Sequence, residues 1–500
     1  MNTSNQSTIK SIIIGSGFAG ISSALRMRAL GHDVILLERL DQLGGRARTF
    51  KKGKYTHDAG PTVITAPFLF NELFELFNEK LEDHLEFIHL DPYYRFYFSK
   101  EDEIFDYRSS IEDTQKEIKR FNEDDAEGYS SLLNESKEIY DVGFKKLVHR
   151  PFNTILSMIS QVPALLRLKC YRTVWQMVCS HITHPLVRKA FSIHPLLIGG
   201  NPFTTTSIYA LIHYLERKWG VFFCMGGTGK LVKELEKLML RNGIVIKKNC
   251  DVKKINTQNN RVTSVELDSG EIIEGCNCIF AGDPETCYRE LLDERSFFKS
   301  LLPEKKYSMG LYVLYFGTKK TYKDIAHHTI WMGKKYKSLL NDIFEKKILG
   351  DDFSLYLHRP TATDKSFAPL GCDSFYVLCP VPNLKGKVDW NMSGKELGDK
   401  IINALDSTIL PNLKSNIEDV FWMTPRDFSS DYRSTYGAGF SIEPKLTQSA
   451  WFRHHNRHKN INNLYFAGAG THPGAGLPGV ISSAKVVQEL ITGKEVGSGE

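Results

Sequence analysis

Two glycine-rich segments, one near each end of the chain, have the spacing needed to bind a phosphate-containing cofactor. The first reads GSGFAG over residues 15–20 and matches the pattern G-x-G-x-x-G. In this pattern Gly15 permits a tight turn, Gly17 lets the backbone approach a pyrophosphate, and Gly20 allows a helix to pack closely on a strand. Ser16 and Ala19 complete the turn, whose N–H groups would face the phosphates. The first segment therefore predicts a dinucleotide site.

The elements around this segment are those that such a site requires. Residues 9–14 form a short β-branched run that predicts a buried parallel strand. Residues 21–30 have helical spacing of apolar residues with a glycine stop at Gly31, and a second strand over 33–37 ends at Glu38. Glu38 is placed to accept hydrogen bonds from a ribose diol, and Arg39 beside it is a further candidate contact.

The residues that follow favour FAD over a nicotinamide cofactor. They read LGGR over 43–46 and DAGPT over 58–62, a run that resembles the extended fingerprint of the FAD-binding amine oxidase and carotenoid desaturase superfamily. Nicotinamide-binding domains do not require Gly-Gly-Arg at this place, so the resemblance implies FAD. Glycines 44 and 45 would let the backbone pass close to the pyrophosphate, and Arg46 would neutralise its charge. The candidate cofactor contacts in this region are Gly45, Arg46, Gly60, Pro61 and Thr62.

The second glycine-rich segment follows a predicted strand over 464–467 and precedes a predicted helix over 480–492. Its last six residues also match G-x-G-x-x-G, but Pro478 and the preceding loop argue against a separate NAD site. Glycines before a helix instead predict that the backbone packs closely against a planar ring. The positive end of the helix dipole would then stabilise a reduced, anionic flavin. The candidate contacts are Gly468, Gly470, Pro478, Gly479 and Val480.

Other motifs are incomplete. GGTGK over 226–230 resembles a P-loop, but Cys224 and Leu231 occupy positions that need Gly and Ser or Thr, so we predict a turn before a helix over 231–242. The nine cysteines lack zinc or thiol-redox spacing and are expected to be reduced cytosolic thiols. His472 has no neighbouring ligand and is expected to be structural. We predict no metal site, and no residue can be named as catalytic.

Composition and charge limit the class of protein. A chain of 500 residues, 42% hydrophobic and 24% charged, is globular and large enough for more than one structural unit. No run is long and apolar enough to span a bilayer, and the polar first ten residues do not resemble an export signal. We expect no nucleic-acid partner. The net charge is +6, yet residues 145–190 contain eight Lys or Arg and no Asp or Glu.

Taken together, the motifs resemble the bacterial-type phytoene desaturases, which are FAD-dependent carotenoid desaturases. The similarity extends over nearly the whole chain. Besides the cofactor motifs, it rests on NPFTTTSIY (201–209), RKWGVFF (217–223), GGTGKLV (226–232), DFSLYLHRP (352–360), LTQSAWFR (446–453) and NLYFAGAGTHPGAGLPGVISSAK (463–485).

The resemblance implies an α/β protein whose Rossmann-like FAD-binding domain is discontinuous, over 8–105, 221–290 and 456–495. It also implies a helical, membrane-associating region over 106–220 and an α+β substrate-binding domain over 291–455. In this superfamily the backbone of a strand end near position 252 touches the adenine, which makes Val252 a candidate contact. The implied reaction is successive desaturation of phytoene to lycopene, with hydride transfer to the flavin and proton loss from the neighbouring carbon.

The resemblance leaves several alternatives open. Relatives use diapophytoene or stop at neurosporene, and an amine oxidase-like flavoenzyme is a more distant alternative. The lipid-soluble carotenoid implies a membrane surface as partner and a cytoplasmic protein associated peripherally with the membrane, with residues 145–190 as the contact. Oxygen and quinone are both candidate electron acceptors. Four arginines in aromatic contexts, Arg95, Arg217, Arg433 and Arg453, are expected to be structural ion-pair or cation–π partners.

Overall fold

The computed structural model describes residues 9–152, 154–292, 304–497 and 499, so most of the polar opening segment lies outside it. The strands are β1 (Lys10–Ile14), β2 (Asp33–Leu37), β3 (Thr49–Lys52), β4 (Tyr55–Asp58), β5 (Phe87–His89), β6 (Tyr94–Phe98), β7 (Glu103–Tyr107), β8 (Phe222–Cys224), β9 (Val245–Lys247), β10 (Val252–Gln258), β11 (Arg261–Leu267), β12 (Ile272–Glu274), β13 (Asn277–Phe280), β14 (Gly310–Thr318), β15 (His328–Met332), β16 (Leu355–His358), β17 (Asp373–Val381), β18 (Ile417–Met423) and β19 (Leu464–Phe466).

The α-helices are α1 (Phe18–Ala29), α2 (Phe68–Glu75), α3 (Ile111–Lys119), α4 (Asp125–Val142), α5 (Ile155–Ile159), α6 (Val162–Arg167), α7 (Val174–Cys179), α8 (Pro185–Phe191), α9 (Leu211–Trp219), α10 (Gly227–Arg241), α11 (Pro284–Thr286), α12 (Tyr336–Asn341), α13 (Trp390–Asp406), α14 (Leu413–Asn416), α15 (Pro425–Tyr432) and α16 (Leu477–Thr492).

A five-stranded sheet in the order β19-β13-β1-β2-β9 holds the predicted dinucleotide motif. All its pairings are parallel, and β1 lies between β13 and β2. Residues 11–14 are buried, as expected for a strand covered on both faces. Because parallel strands end at the same edge, Gly15 after β1 and Glu38 after β2 lie side by side.

A seven-stranded, mostly antiparallel sheet has the order β18-β14-β17-β16-β15-β6-β7. The sequence grouped residues up to 105 with the FAD-binding part, but β6 and β7 belong to this second sheet. β6 pairs in parallel with β15, so that Phe96 lies beside Ile330. Their position in this sheet is stabilised because their aromatic side chains, such as Phe96 and Phe105, are buried in the core under it.

Two of the candidate arginines have structural partners in this region. Arg95 makes two hydrogen bonds of 2.7 Å to the carboxylate of Asp106. Arg217 lies 4.2 Å from the ring centre of Tyr107 and donates a hydrogen bond of 2.6 Å to the hydroxyl of Tyr129. These contacts agree with the structural interpretation of both residues.

The contact between α1 and β1 depends on Gly20. A Cβ atom on Gly20 would lie 1.8 Å from the carbonyl oxygen of Gly15, which is backbone and cannot move aside cheaply. We therefore expect Gly20→Ala to lower the free energy of unfolding by about 3 kcal/mol or more, measured by urea denaturation. Gly17→Ala is the control, because its Cβ would meet no atom within 4 Å. Equal stability of the two variants would contradict this account of the packing.

Candidate cofactor and substrate site

A cavity of about 550 Å³ lies at the carboxyl edge of the parallel sheet, between α16 and the second sheet. We call it the cofactor cavity. All predicted cofactor contacts except Gly20 line it, namely Gly15, Ser16, Gly17, Ala19, Glu38, Arg39, Gly45, Arg46, Gly60, Pro61, Thr62, Val252, Gly468, Gly470, Pro478, Gly479 and Val480. Gly20 instead lies beneath the turn, where its small size serves packing rather than contact.

Glu38 is held firmly at the end of β2. One carboxylate oxygen accepts hydrogen bonds from the backbone N–H and hydroxyl of Ser16, at 2.9 and 2.5 Å, and the other accepts one from the N–H of Leu40 at 2.9 Å. A carboxylate has about four lone-pair positions, so Glu38 retains capacity for a diol that enters the cavity. The local bonds fix its orientation in advance.

Asp251 links the two basic residues at this end of the cavity. Its carboxylate lies 3.5 Å from Nε of Arg39 and accepts a hydrogen bond of 2.9 Å from Arg433. Arg433 also donates to the carbonyl of Val252 at 3.4 Å. Arg433 is therefore an ion-pair partner near the predicted adenine position.

Arg46 is half-buried in the cavity wall. Its guanidinium donates to the hydroxyl of Ser434 at 3.1 Å and to the carbonyl of Ala438 at 3.4 Å, while Nε has no hydrogen-bond partner among the described residues. Burial lowers the pKa of Arg46, and the negative charge of Asp283 opposes that shift. Asp283 is itself buried, and this burial raises the pKa of its carboxyl group. An incompletely bonded cation here is suited to a phosphate anion.

Two helices begin at the cavity without a side-chain cap. Gly17 precedes α1 and Gly476 precedes α16, and neither helix has an acidic residue in its first turn. Their first N–H groups therefore remain available, with the positive end of each helix dipole, for a negatively charged group. The open space beside Gly17 gives room for that group. These features fit a dinucleotide pyrophosphate at α1 and an electron-rich ring at α16.

The loop before α16 has a backbone that favours glycine. The φ angles of Gly468, Gly474 and Gly476 are 123°, 135° and 92°. A Cβ on Gly470 would lie 2.5 Å from Cδ of Pro284. The helix begins at Leu477, three residues before the predicted start. Pro478 fits in the first turn because the N–H that proline lacks would have no partner within the helix at that position.

His472 and Arg453 are anchored by main-chain oxygens. Nε2 of His472 lies 2.9 Å from the carbonyl oxygen of Leu147, and its ring packs against Phe152 with a centroid distance of 4.8 Å. Arg453 donates to the carbonyls of Ile442 and Gln448 at 3.3 and 3.4 Å. His472 also lines the cavity, although these contacts agree with its structural interpretation.

Burial lowers the pKa of His472 to about 4 from 6.5. The unfolded chain therefore binds a proton that the folded chain rejects, and stability is lost as the pH falls from about 6.5 towards 4. Each pKa unit corresponds to roughly 1.4 kcal/mol. We therefore expect the free energy of unfolding to fall by about 3 kcal/mol less between pH 7 and pH 4 for His472→Gln than for the wild type. Urea titrations of both proteins at pH 7 and pH 4 measure the difference. Parallel pH profiles would contradict this expectation.

Two tyrosine hydroxyls on the cavity wall, beside the predicted contact Thr62, were not singled out from the sequence. The hydroxyl of Thr62 lies 2.7 Å from that of Tyr376 and 3.0 Å from that of Tyr356. Tyr356 falls within the segment DFSLYLHRP, whereas Tyr376 falls in no quoted motif. Only the alignment of β16 and β17 brings both tyrosines to the cavity.

Residues of α5, α6 and the turn between them form part of the cavity wall. Met158, Gln161 and Leu165 line the cavity there. The same short helices expose apolar side chains on the outside, and we call this set the apolar patch. It consists of Ile155, Leu156, Ile159, Val162 and Leu166, with exposed fractions between 41% and 72%.

Tertiary contacts modify the charge of residues 145–190. Acidic residues from elsewhere pair with half of the eight basic side chains, in the pairs Lys145–Asp141, Arg150–Glu495, Arg172–Glu135 and Lys189–Glu101. Lys146, Arg167 and Lys169 are exposed near the apolar patch. The positive excess is therefore smaller than the sequence indicated. Among the described residues, no helix is long and apolar enough to cross a bilayer.

Comparison with known proteins agrees with this site. The model of the flavin-containing amine oxidoreductase family matches residues 18–487. A lycopene-forming phytoene desaturase of Paracoccus sp. is 41% identical, with 98% of this chain and 99% of that protein covered. The corresponding protein of Pantoea ananas is 42% identical, with 96% and 98% covered. A neurosporene-forming phytoene desaturase of Rhodobacter capsulatus is 34% identical, with 98% and 95% covered.

Solved structures confirm the fold. Cyclohexylamine oxidase from Brevibacterium oxydans superposes with a TM-score of 0.62 at 15% identity, covering 97% of this chain and 98% of that one. The family match, together with the fit of the cavity residues, confirms FAD as the cofactor. The chain belongs to the flavin-containing amine oxidoreductases and, within them, to the bacterial phytoene desaturases.

Proposed function

We propose that this protein is an FAD-dependent desaturase that converts phytoene to lycopene in carotenoid biosynthesis. The observation that carries the proposal is one continuous cavity, whose lining extends from the dinucleotide motif to Met158 and Leu165 in the two short helices that also carry the exposed apolar patch. Such a cavity suits a long hydrocarbon that must reach a flavin. Similarity over nearly the whole chain to lycopene-forming relatives supports the product.

We further propose how the cavity residues divide the cofactor between them. The turn over 15–20, with Glu38, Arg39 and Val252, holds the nucleotide half, while Gly45 and Arg46 face the pyrophosphate. Residues 60–62, together with the wall formed by Gly468, Gly470 and residues 478–480, hold the flavin ring. The FAD-binding unit is then assembled from separate parts of the chain, as the parallel sheet is.

Bound FAD supplies the hydride acceptor for each desaturation. A hydrocarbon offers no carbonyl to polarise and no leaving group, so positioning and exclusion of water are the main tasks of the protein. Leu196, Leu311 and Leu378 are among the apolar side chains of the wall that exclude water. In each desaturation the substrate loses a hydride from one carbon and a proton from the neighbouring carbon. The hydroxyls of Tyr356 and Tyr376 are polar groups on the same wall of the cavity.

The apolar patch is proposed to lie on the cytoplasmic membrane, with the exposed lysines and arginine facing anionic headgroups. Phytoene dissolved in the bilayer would then enter between α5 and α6 without crossing water. This arrangement makes the protein a peripheral, cytoplasmic-side enzyme. Oxygen or a membrane quinone serves as the electron acceptor.

The test is to incubate purified protein, FAD and phytoene-loaded vesicles, and to separate the extracted pigments by chromatography. We expect lycopene. Parallel reactions, one in air and one without oxygen but with quinone, identify the electron acceptor. Neurosporene as the end product would retain the enzyme class and change the number of steps. Unchanged phytoene with FAD bound and both acceptors supplied would overturn the proposal, and diapophytoene and amines would be tested next.

A further inference from the structure

Three histidines meet in the interior, behind the wall of the cofactor cavity and not among the residues that line it. They are His327, His328 and His358, and each is at most 5% exposed. His328 and His358 are directly opposite each other on the paired strands β15 and β16. A ring nitrogen of each histidine lies within 4.8 Å of a ring nitrogen of both others. Imidazoles this close, without bonds between them, call for a physical explanation.

The hydrogen bonds of this cluster leave one side of each ring without a partner. Nδ1 of His327 bonds to the hydroxyl of Thr363, and Nδ1 of His328 bonds to the hydroxyl of Tyr356, both at 2.7 Å. Nε2 of both residues, and both nitrogens of His358, have no partner among the described residues. Outer oxygen atoms that fix Nδ1 and leave Nε2 available are the arrangement seen around metal-binding histidines.

A carboxylate lies beside one of the three histidines. Oδ2 of Asp58, at the end of β4, lies 3.7 Å from Nε2 of His358 and is also buried without a hydrogen-bond partner. Its other oxygen accepts bonds of 3.0 Å from the N–H and the hydroxyl of Thr228. The Asp58 side chain is thus oriented by one oxygen while the other faces the imidazoles.

We infer that His327, His328 and His358, with Asp58 beside His358 as a fourth ligand, form a binding site for a divalent transition-metal ion, with Zn²⁺ as the best match. Zinc takes about four ligands at roughly 2.0–2.2 Å, which places neighbouring ligand atoms about 3.4 Å apart. The three histidine nitrogens lie within 4.8 Å of one another and Oδ2 of Asp58 lies 3.7 Å from His358, so the rings and the carboxylate move towards one another to bind the ion. Burial lowers the pKa of His327, His328 and His358, which keeps the imidazoles in the neutral form that metals bind.

A second pocket reaches one of the three histidines. It has a volume of about 270 Å³ and is lined by His327, Thr363, Asp91 and Arg95, among others. The bound ion would join β15 and β16 to β4, which leads directly into residues 60–62 of the cofactor cavity. Tyr356 bonds both His328 and Thr62, so the ion would also steady that wall. Zinc is not redox-active, and we assign it a structural role.

The inference is tested without any carotenoid turnover, on FAD-loaded protein that carries no affinity tag. Metal is removed with a chelator, the protein is dialysed against micromolar Zn²⁺, and bound zinc is measured by mass spectrometry. We expect one zinc per chain for the wild type and less than about a tenth of that for the double variant His327→Ala, His358→Ala. His84→Ala is the control, because His84 pairs with Glu79 at another site.

X-ray absorption spectroscopy at the zinc edge provides a second readout. It uses the wild-type protein, so it does not depend on whether a variant folds. We expect scattering from several imidazole rings at about 2.0 Å. Three results would overturn the inference: no zinc above background in the wild type, zinc with sulfur rather than imidazole neighbours, or full zinc occupancy in a double variant that retains FAD.

Discussion

Gly17→Val is expected to give a folded protein that no longer holds FAD. A Cβ on Gly17 meets no protein atom within 4 Å, and the φ angle of −64° is one that valine adopts readily. The added side chain would occupy the space that we assign to the pyrophosphate, in front of the first N–H groups of α1. Losing two bonds to a charged group costs about 3 kcal/mol, so FAD affinity should fall at least about a hundredfold.

The ratio of flavin to protein absorbance and a titration with FAD measure this loss, while urea denaturation of the FAD-free proteins monitors the fold. Gly350→Val is the matched control, because its Cβ meets only Asp342, at 3.7 Å, and Gly350 lies outside the cofactor cavity. Wild-type FAD content in the Gly17→Val protein would show that the pyrophosphate lies elsewhere. An unfolded variant would show that the space beside Gly17 is required by the protein itself.

A triple variant of the apolar patch, Leu156→Glu, Ile159→Glu and Leu166→Glu, is expected to lose binding to anionic vesicles. The three side chains are 72%, 55% and 59% exposed, so the folded protein does not need them buried. Inserting an apolar side chain into a bilayer is favourable by about 1.5–3 kcal/mol, and three together exceed about 4 kcal/mol. Partition into vesicles should therefore fall about a thousandfold, with FAD content unchanged.

Sedimentation with vesicles measures the partition. The matched control is Leu240→Glu, Ile272→Glu and Met392→Glu, whose wild-type side chains are 54%, 62% and 66% exposed in other parts of the surface. Conversion of phytoene should fall with vesicle-borne substrate and recover with substrate in detergent. Co-sedimentation of the patch variant at the wild-type level would exclude the patch as the membrane contact.

Many residues that line the cofactor cavity could be predicted because the determinants of their positions are local. The strand, turn and helix around residues 15–20 are consecutive, and the glycine spacing specifies a backbone conformation that few neighbours can alter. The same holds for the glycines before α16, although the helix start was placed three residues late. In both segments, the residues that lie close together in space are also close together in the sequence.

The charge of residues 145–190 shows where local interpretation ends. Asp141, Glu135 and Glu101 precede the basic segment and Glu495 follows it, so no acidic residue appears within it. The fold places these carboxylates beside lysines and arginines of the segment. Charge counted along the chain overestimated the positive surface, whereas the same segment, expected to contact a membrane, does expose the apolar patch.

The sequence by itself determined the parallel-strand dinucleotide motif, the FAD cofactor and the family, because each depends on residue types at short, fixed spacings. Only the tertiary structure decided that β6 and β7 join the second sheet, that Tyr376 reaches the cavity, and that His358 lies beside His327 and His328. The reason is that strand pairing over long sequence distances follows from burial of whole sheet faces. Such pairing leaves no periodic signal in any one segment.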